Sequence, residues 1–411
     1  MKSLAKKAVI FGAGKIGRSF IGQLFSRGGY EVVFVDVYKP VIDELNRRGN
    51  YNVVVKSEQE TVLNIKNVRG VMASDEEAVA HEIATAHVLA VSIGQHGLKS
   101  AIKLISKGLE LRQKEMYNIP LDIIIAENLR NAAEYFKTEL IPLLPATYPF
   151  DKLVGLVETS IGKMVPIMLK KDMEEDILQV FGEPYNTLVL DKMAFKNPIP
   201  EIAGLAPKEN MKAWVDRKLF IHNLGHATVA YLGHLAHPDS IFLFEALSDN
   251  QLKEEVRNTM LQAADILLKK YPEEFTLESL TEHIDDLLRR FQNIALGDTI
   301  YRVGCDLQRK LGAEDRIAGA IHLALELNLP YHLILKALVN GCHFKATDER
   351  GETLQVDTEF RKIYASGIEN VLTSICGFDE DAHKMVITKG IAIDNSLAIN
   401  GMRLKLRIIN S

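Results

Sequence analysis

Hydrophobic and polar positions follow two regimes along this chain. Up to about residue 195, short apolar runs (KAVIF, EVVFVD, HVLAVSIG, LDIIIAEN and LVGLVET) alternate with longer amphipathic stretches. Continuous β-branched runs bounded by turn residues predict strands buried on both faces. Between them, IGRSFIGQLFSRG and the stretch from Gly97 to Lys114 space their apolar residues three and four apart, which predicts helices. The alternation is that of a doubly wound parallel sheet covered by helices. After TLVLDKMAF the strand signal fades into KNPIPEIAGLAP, a loop of prolines and glycine. Beyond it NQLKEEVRNTMLQAADILLKKY, LESLTEHIDDLLRRFQNIA, EDRIAGAIHLALELN and YHLILKALVNGC all carry the helical period. The expected architecture is α/β over residues 1–196, followed by a mostly α-helical domain over 197–411.

Length agrees with that division, since 411 residues exceed one ordinary core. A net charge of -5 argues against a nucleic-acid partner, which calls for a basic surplus on one face, and favours a small-molecule substrate. Cys305, Cys342 and Cys376 stand far apart without a CxxC pair, so neither a disulfide framework nor a thiolate zinc site is expected. The basic start MKSLAKKAVIFGAG runs straight into a glycine turn without a signal region, and no apolar run is long enough to span a membrane. A cytoplasmic protein with no membrane partner is the expectation.

FGAGKIGRSFIG places Gly12, Gly14 and Gly17 at GxGxxG spacing, with Lys15 and Ile16 inside the motif. The triplet alone arises often by chance. Here a strand precedes it and a helix follows, so backbone N–H groups and a positive helix end would face a pyrophosphate. Asp36 closes the next strand, about 20 residues past the last glycine, where a carboxylate accepts from ribose hydroxyls and repels a 2′-phosphate. The first domain thus reads as Rossmann-type, with NAD favoured over NADP. Lys39, Arg47 and Arg48 lie near enough in sequence to keep NADP open, and a tight turn beside a solvated aspartate is the plainer alternative.

Residues 217–237, RKLFIHNLGHATVAYLGHLAH, are mostly apolar yet carry a lysine, an asparagine and four histidines. At 100° per residue Lys218, His222, Asn223 and His226 fall within an arc of roughly 140°. That arc is either a polar face turned to water or the lining of an internal cleft. His222 and His226 also have the i, i+4 spacing of a metal pair, with His234 and His237 further on. HNLGH lacks the glutamate of a zinc protease motif, no cysteine lies near, and Lys218 would repel a cation, so no metal is expected.

AWVDRKLFIHNLGHATVAYLG closely resembles the signature helix of the polyol-specific long-chain dehydrogenases, the mannitol dehydrogenase family, most of all its sugar-phosphate branch. The resemblance continues in FGAGKIGRSFIG, IIIAENLRNAAEYFK, VLDKMAFKN, RFQN and RVGCDLQRKLGAEDR, and so spans nearly the whole chain. It implies metal-independent hydride transfer between a secondary alcohol and nicotinamide. In the sugar-phosphate branch the pair is mannitol 1-phosphate and fructose 6-phosphate; a free hexitol or a hexuronate is the alternative. The matched positions imply Lys218 as general base, Asn223 and Asn128 as amide donors to the substrate oxygen, and His226 as a partner of a substrate hydroxyl or of the lysine. A lysine works as a base only if desolvation and a nearby cation lower its pKa from ~10.4 toward ~7–8. Asn128 reads equally well as a helix cap before LRNAAEYFK. Arg302, Arg309, Lys310 and Arg316 are the candidate cations for a phosphate. Asp191 and Lys192 either shape the cleft or form a salt bridge on an edge strand. One departure stands out: ETSIGKMVPI has Gly162 and Lys163 where the family commonly carries aspartate and arginine, which leaves the substrate less defined than the reaction. A nucleotide-binding sensor and a metal-dependent alcohol dehydrogenase are the readings from other classes.

Overall fold

A computed structural model describes residues 6–115, 119–129, 131–168 and 170–409; the first five residues of the basic start lie outside them. The chain divides into two compact units, Met1–Val215 and Asp216–Ser411.

The first unit is built on an eight-stranded sheet in the order β11-β10-β8-β7-β6-β1-β2-β5. Its strands are β1 (Lys7–Phe11), β2 (Glu31–Asp36), β5 (Val68–Met72), β6 (Val88–Val91), β7 (Leu121–Ile125), β8 (Val154–Ile161), β10 (Leu188–Asp191) and β11 (Leu205–Lys208). From β8 to β5 every neighbouring pair is parallel, whereas β10 runs antiparallel to β8 and β11 parallel to β10. Successive side chains leave opposite faces of a strand. Ala8, Ile10, Val32 and Phe34 therefore join one core with Phe20, Leu24 and Ile42, while Val9, Phe11, Val33 and Val35 join another with Ile83, Ile105 and Phe136. Helices thus cover both faces, as the continuous apolar runs require.

A second sheet, β4-β3-β9, consists of β3 (Asn50–Val55), β4 (Thr61–Lys66) and β9 (Val180–Gly182). The sequence reading contains none of these strands, nor β5 or β11. The reason is local: only Ile65 of β4 is buried, and β5 carries Arg69 and Gly70, so neither shows a clean apolar period. Backbone pairing with distant partners holds them instead. β11 contains Pro207, which a strand tolerates at a sheet edge where no ladder N–H is needed. It extends the first sheet past residue 196, and the division between units falls after Val215.

Parallel order fixes the functional edge. Phe11 pairs with Val35 and Val91, and Val91 with Ile125, so the glycine turn, Asp36, the loop at Ser92–Gln95 and Asn128 all follow the carboxyl ends of adjacent strands. Open α/β sheets bind their ligands along that edge.

In the second unit the helix Leu224–Ala236 is central, packing against Asn250–Lys270, Ile300–Gly304 and His332–Cys342. Every residue from Leu224 to Gly233 is buried except His226, which is partly so. A helix enclosed in this way has no polar face turned to water. Asp249 caps the Asn250 helix by accepting from Gln251 and Leu252 N–H, and Thr276 and Ser279 form a capping box at Leu277–Phe291. Among the described residues no helix is long and apolar enough to cross a membrane.

Candidate active site

The glycine turn is set by space as much as by conformation. Gly12 has φ +100°, and a Cβ there would lie 2.3 Å from the Ser92 carbonyl oxygen. A Cβ on Gly17 would lie 1.9 Å from the Gly12 carbonyl oxygen, so the first helical turn can approach the strand only through glycine. Gly14 differs, for a Cβ there meets nothing within 4 Å. Two glycines close the turn and the middle one leaves its outer side bare, the division of labour that a pyrophosphate cradle needs. Lys15 and Ile16 open the following helix, Lys15 exposed and Ile16 packed on the core. The helix continues as a π-helical segment, Gly17–Gly22, and then Gln23–Arg27.

Asp36 is pinned by two backbone donors: its Oδ2 accepts from Ala13 N–H at 2.7 Å and its Oδ1 from Tyr38 N–H at 2.8 Å. A carboxylate offers about four acceptor positions, so about two remain for ribose hydroxyls. The three cations that kept NADP open are engaged. Lys39 pairs with Asp43 at 2.7 Å, while Arg47 and Arg48 share Glu44, whose carboxyl they hold down at about 2. These residues fit a nicotinamide dinucleotide.

Two further residues shape this edge without having stood out in the sequence. Buried Arg18 donates to the carbonyls of Ala13 (2.6 Å), Ile177 (3.0 Å) and Leu178 (2.6 Å), tying the turn to the segment before β9. Glu127 Oε1 accepts from Ile93 N–H (2.6 Å) and Gly94 N–H (2.9 Å), and burial raises its pKa. Neither has a local signature, because their partners lie far away in sequence. Asn128 is exposed beside Glu127, and the helix Ala132–Leu140 starts after Asn131.

In the second unit, Lys218–Asn223 is π-helical, with Leu224 N–H donating to the Leu219 carbonyl five residues back. In a regular α-helix five residues advance about 500°, leaving Lys218 and Asn223 roughly 140° apart. The wider i→i+5 turn narrows that angle, and such turns recur at functional sites. Asn223 makes no capping bond to the helix it precedes. Lys218 is partly buried, and its pKa falls to about 8, first through burial and then through repulsion from Arg316.

His226 and His222 flank the buried ring of Phe291. The imidazole of His226 stacks on it at 4.7 Å and 14°, and that of His222 meets its edge at 5.7 Å. His226 Nε2 lies 3.0 Å from Asp298 Oδ2, and the other oxygen of Asp298 receives Arg302. Burial, then Arg302, Arg316, Lys310 and Arg290, hold His226 well below the usual imidazole range. Burial and Arg290 do the same to His222. Phe291 and Asp298 thus belong to the candidate site by their contacts with His226, and the sequence reading did not single them out, although Phe291 lies in the quoted RFQN. Among the described residues, no three His, Cys, Asp or Glu side chains are grouped to hold a metal.

The nominated phosphate cations part company. Lys310 and Arg316 are buried, Lys310 donating to the Val303 carbonyl at 2.7 Å and Arg316 to Asp315 at 2.7 Å. Burial, then Arg316, lowers Lys310 to about 8. Arg302 is more exposed but reaches the Asp298–His226 pair. Arg309 pairs with Asp306 (2.5 Å) and Asp315 (3.5 Å) and adds to the positive charge on Lys310.

Several other residues singled out in the sequence have partners of their own. His234 Nε2 accepts from Lys345 N–H at 3.1 Å, and His237 pairs with Asp249 at 3.0 Å. Lys192 pairs with Glu209, and Asp191 accepts from Met193 N–H. Lys163, buried, donates to the carbonyls of Glu183 and Tyr185 and to the side-chain oxygen of Asn186, with Phe20 beneath it.

Comparison with known proteins places this geometry in context. The family profile described as mannitol dehydrogenase Rossmann domain matches residues 6–204, and that of the mannitol dehydrogenase C-terminal domain matches 210–375. The mannitol-1-phosphate 5-dehydrogenase of Oceanobacillus iheyensis is 32% identical over 390 residues, 94% of this chain and 97% of the relative. Among solved structures, a D-sorbitol dehydrogenase superposes with TM-score 0.80 at 18% identity over 97% of this chain and 94% of its own. The Pseudomonas fluorescens mannitol 2-dehydrogenase, in a ternary complex with NAD and D-mannitol, does so with TM-score 0.71 at 16% identity over 98% and 94%. By profiles that cover both units and by identity along nearly its full length, the chain belongs to the mannitol dehydrogenase family of oxidoreductases.

Proposed function

We propose that the protein interconverts a polyol phosphate and a ketose phosphate, mannitol 1-phosphate and fructose 6-phosphate, using NAD and no metal. When bound, NAD supplies the acceptor for the hydride. Gly12, Gly14, Lys15, Ile16 and Gly17 would hold its pyrophosphate, and Asp36, with its neighbouring cations engaged, favours an unphosphorylated ribose.

The protein's own part is acid–base and electrostatic. Lys218, near pH 8 half neutral, takes the proton of the carbinol in oxidation and returns it in reduction. Asn223, at the far end of the π-helical segment that begins with Lys218, and Asn128 donate to the oxygen as its negative charge grows. His226 binds a neighbouring hydroxyl. Lys310, Arg316 and Arg302 receive the phosphate.

The observation that carries the phosphorylated substrate is the charge around His226. Arg290, Arg302, Lys310 and Arg316 gather there against the carboxylates of Asp286, Asp298 and Asp315, leaving a cationic excess in a chain whose net charge is -5. An uncharged hexitol has no use for that excess. The nearest alternative is a hexuronate, whose carboxylate would also be drawn to it. Turnover of fructose 6-phosphate, fructose and tagaturonate, each with NADH and with NADPH, tests the reading. Fructose 6-phosphate with NADH should give the highest kcat/KM; faster reduction of an unphosphorylated ketose, or a preference for NADPH, would overturn it.

A further inference from the structure

Asp298 follows Gly297, whose φ of 63° ends the short turn Ile294–Leu296, and precedes Thr299, the cap of Ile300–Gly304. Its backbone is fixed too, for its carbonyl accepts from Leu243 N–H at 3.0 Å. The side chain is 5% exposed and divides its two oxygens between His226 and Arg302. An ionised carboxylate only accepts hydrogen bonds, so the proton of a neutral His226 must sit on Nε2, leaving the lone pair on Nδ1. Phe291 holds the plane of that ring.

We infer that Asp298 is a positioning residue that orders two recognition groups at once: it fixes His226 as an imidazole that accepts a hydroxyl at Nδ1, and it holds the Arg302 guanidinium for the anionic end of the substrate. The inference rests on the roles given above to His226 and Arg302. It explains why a buried acid sits among several cations with only one of them as its direct ion-pair partner. An uncharged amide at 298 can turn its NH2 toward Nε2, which selects the other tautomer and makes Nδ1 a donor. The same change removes the counter-charge of Arg302.

The test is Asp298→Asn in the full chain, assayed with fructose 6-phosphate and with fructose. NADH affinity should stay within about 3-fold of wild type, as the check that the nucleotide unit is intact. With the tautomer released, kcat should fall roughly 10²-fold or more on both ketoses. KM for fructose 6-phosphate should rise about 10-fold while that for fructose moves less than about 3-fold. Arg302→Ala should reproduce the KM effect without the kcat effect. A kcat within about 3-fold of wild type on both ketoses overturns the His226 half of the inference, and equal KM changes on both overturn the Arg302 half. A wild-type enzyme that prefers an unphosphorylated ketose defeats the phosphate reading instead, and kcat on the preferred ketose then decides the His226 half alone. Should the variant not fold, nitrogen-15 NMR of histidine-labelled wild type at about pH 7 decides the same point. The expected state of His226, assigned through its loss in His226→Asn, is neutral with Nε2 protonated; an Nδ1-protonated or a charged ring contradicts the inference.

Discussion

The pKa of Lys218, the proposed base, is lowered by burial first and Arg316 second, and the two causes can be separated experimentally. Lys218→Ala removes the proposed proton acceptor but nothing in the nucleotide unit. Its kcat for alcohol oxidation should fall by roughly 10²–10⁴-fold with NADH affinity unchanged, measured by steady-state kinetics and fluorescence titration. Arg316→Gln should instead move the pH at which oxidation sets in. Without the neighbouring cation the ammonium form is less disfavoured, so the midpoint should shift upward by about 0.5 unit or more in the rate profile. An unmoved midpoint would mean that burial alone sets the amine. Asp36 supplies a third residue-scale test. Asp36→Ser removes the charge that repels a 2′-phosphate, and the ratio of kcat/KM for NADH over NADPH should fall by at least about 10-fold.

At the scale of elements, the glycine turn makes a contrast that binding alone would not. Gly17→Ala forces a Cβ to within 1.9 Å of a backbone oxygen and should cost on the order of 3 kcal/mol, read as a lower melting temperature. Gly14→Ala meets no protein atom within 4 Å, so stability should be unchanged while NADH affinity drops at least about 10-fold, because the methyl group stands where the pyrophosphate must approach. Equal melting losses in the two variants would refute this division. The same elements show how much the sequence discloses. β1, β2, β6, β7 and β8 are legible because burial on both faces demands uninterrupted apolar residues, and the long helices because one face is apolar. β4 and β5 are not, since their strand state comes from distant backbone partners. Lys218, Asn223 and His226 are nominated by the signature helix, but the π-helical form of Lys218–Asn223 is not legible from a period of 100° per residue. Asp298, Glu127 and Arg18 escape any local reading because each acts on at least one residue 33 to 160 positions away.

At the scale of the whole molecule, a net negative chain concentrates positive charge around His226. Salt screens such a field over about 8–10 Å, so KM for fructose 6-phosphate should rise with ionic strength while KM for fructose stays level. Chelation with EDTA should leave turnover unchanged, as expected where the base is an amine and not a metal-bound hydroxide; loss of activity restored by a divalent cation would bring back the metal-dependent reading. The central claim is that a lysine, neutral near physiological pH, carries the proton in a polyol-phosphate oxidation. The pH dependence of kcat/KM for mannitol 1-phosphate oxidation with NAD tests it most directly. Only the neutral amine can accept the proton, so the rate should rise with pH through a single ionisation at about 8 and then level off, and the step should vanish in Lys218→Ala. A profile that is flat across this range, or one that begins to rise only near the ordinary lysine value of about 10.4, would contradict the account.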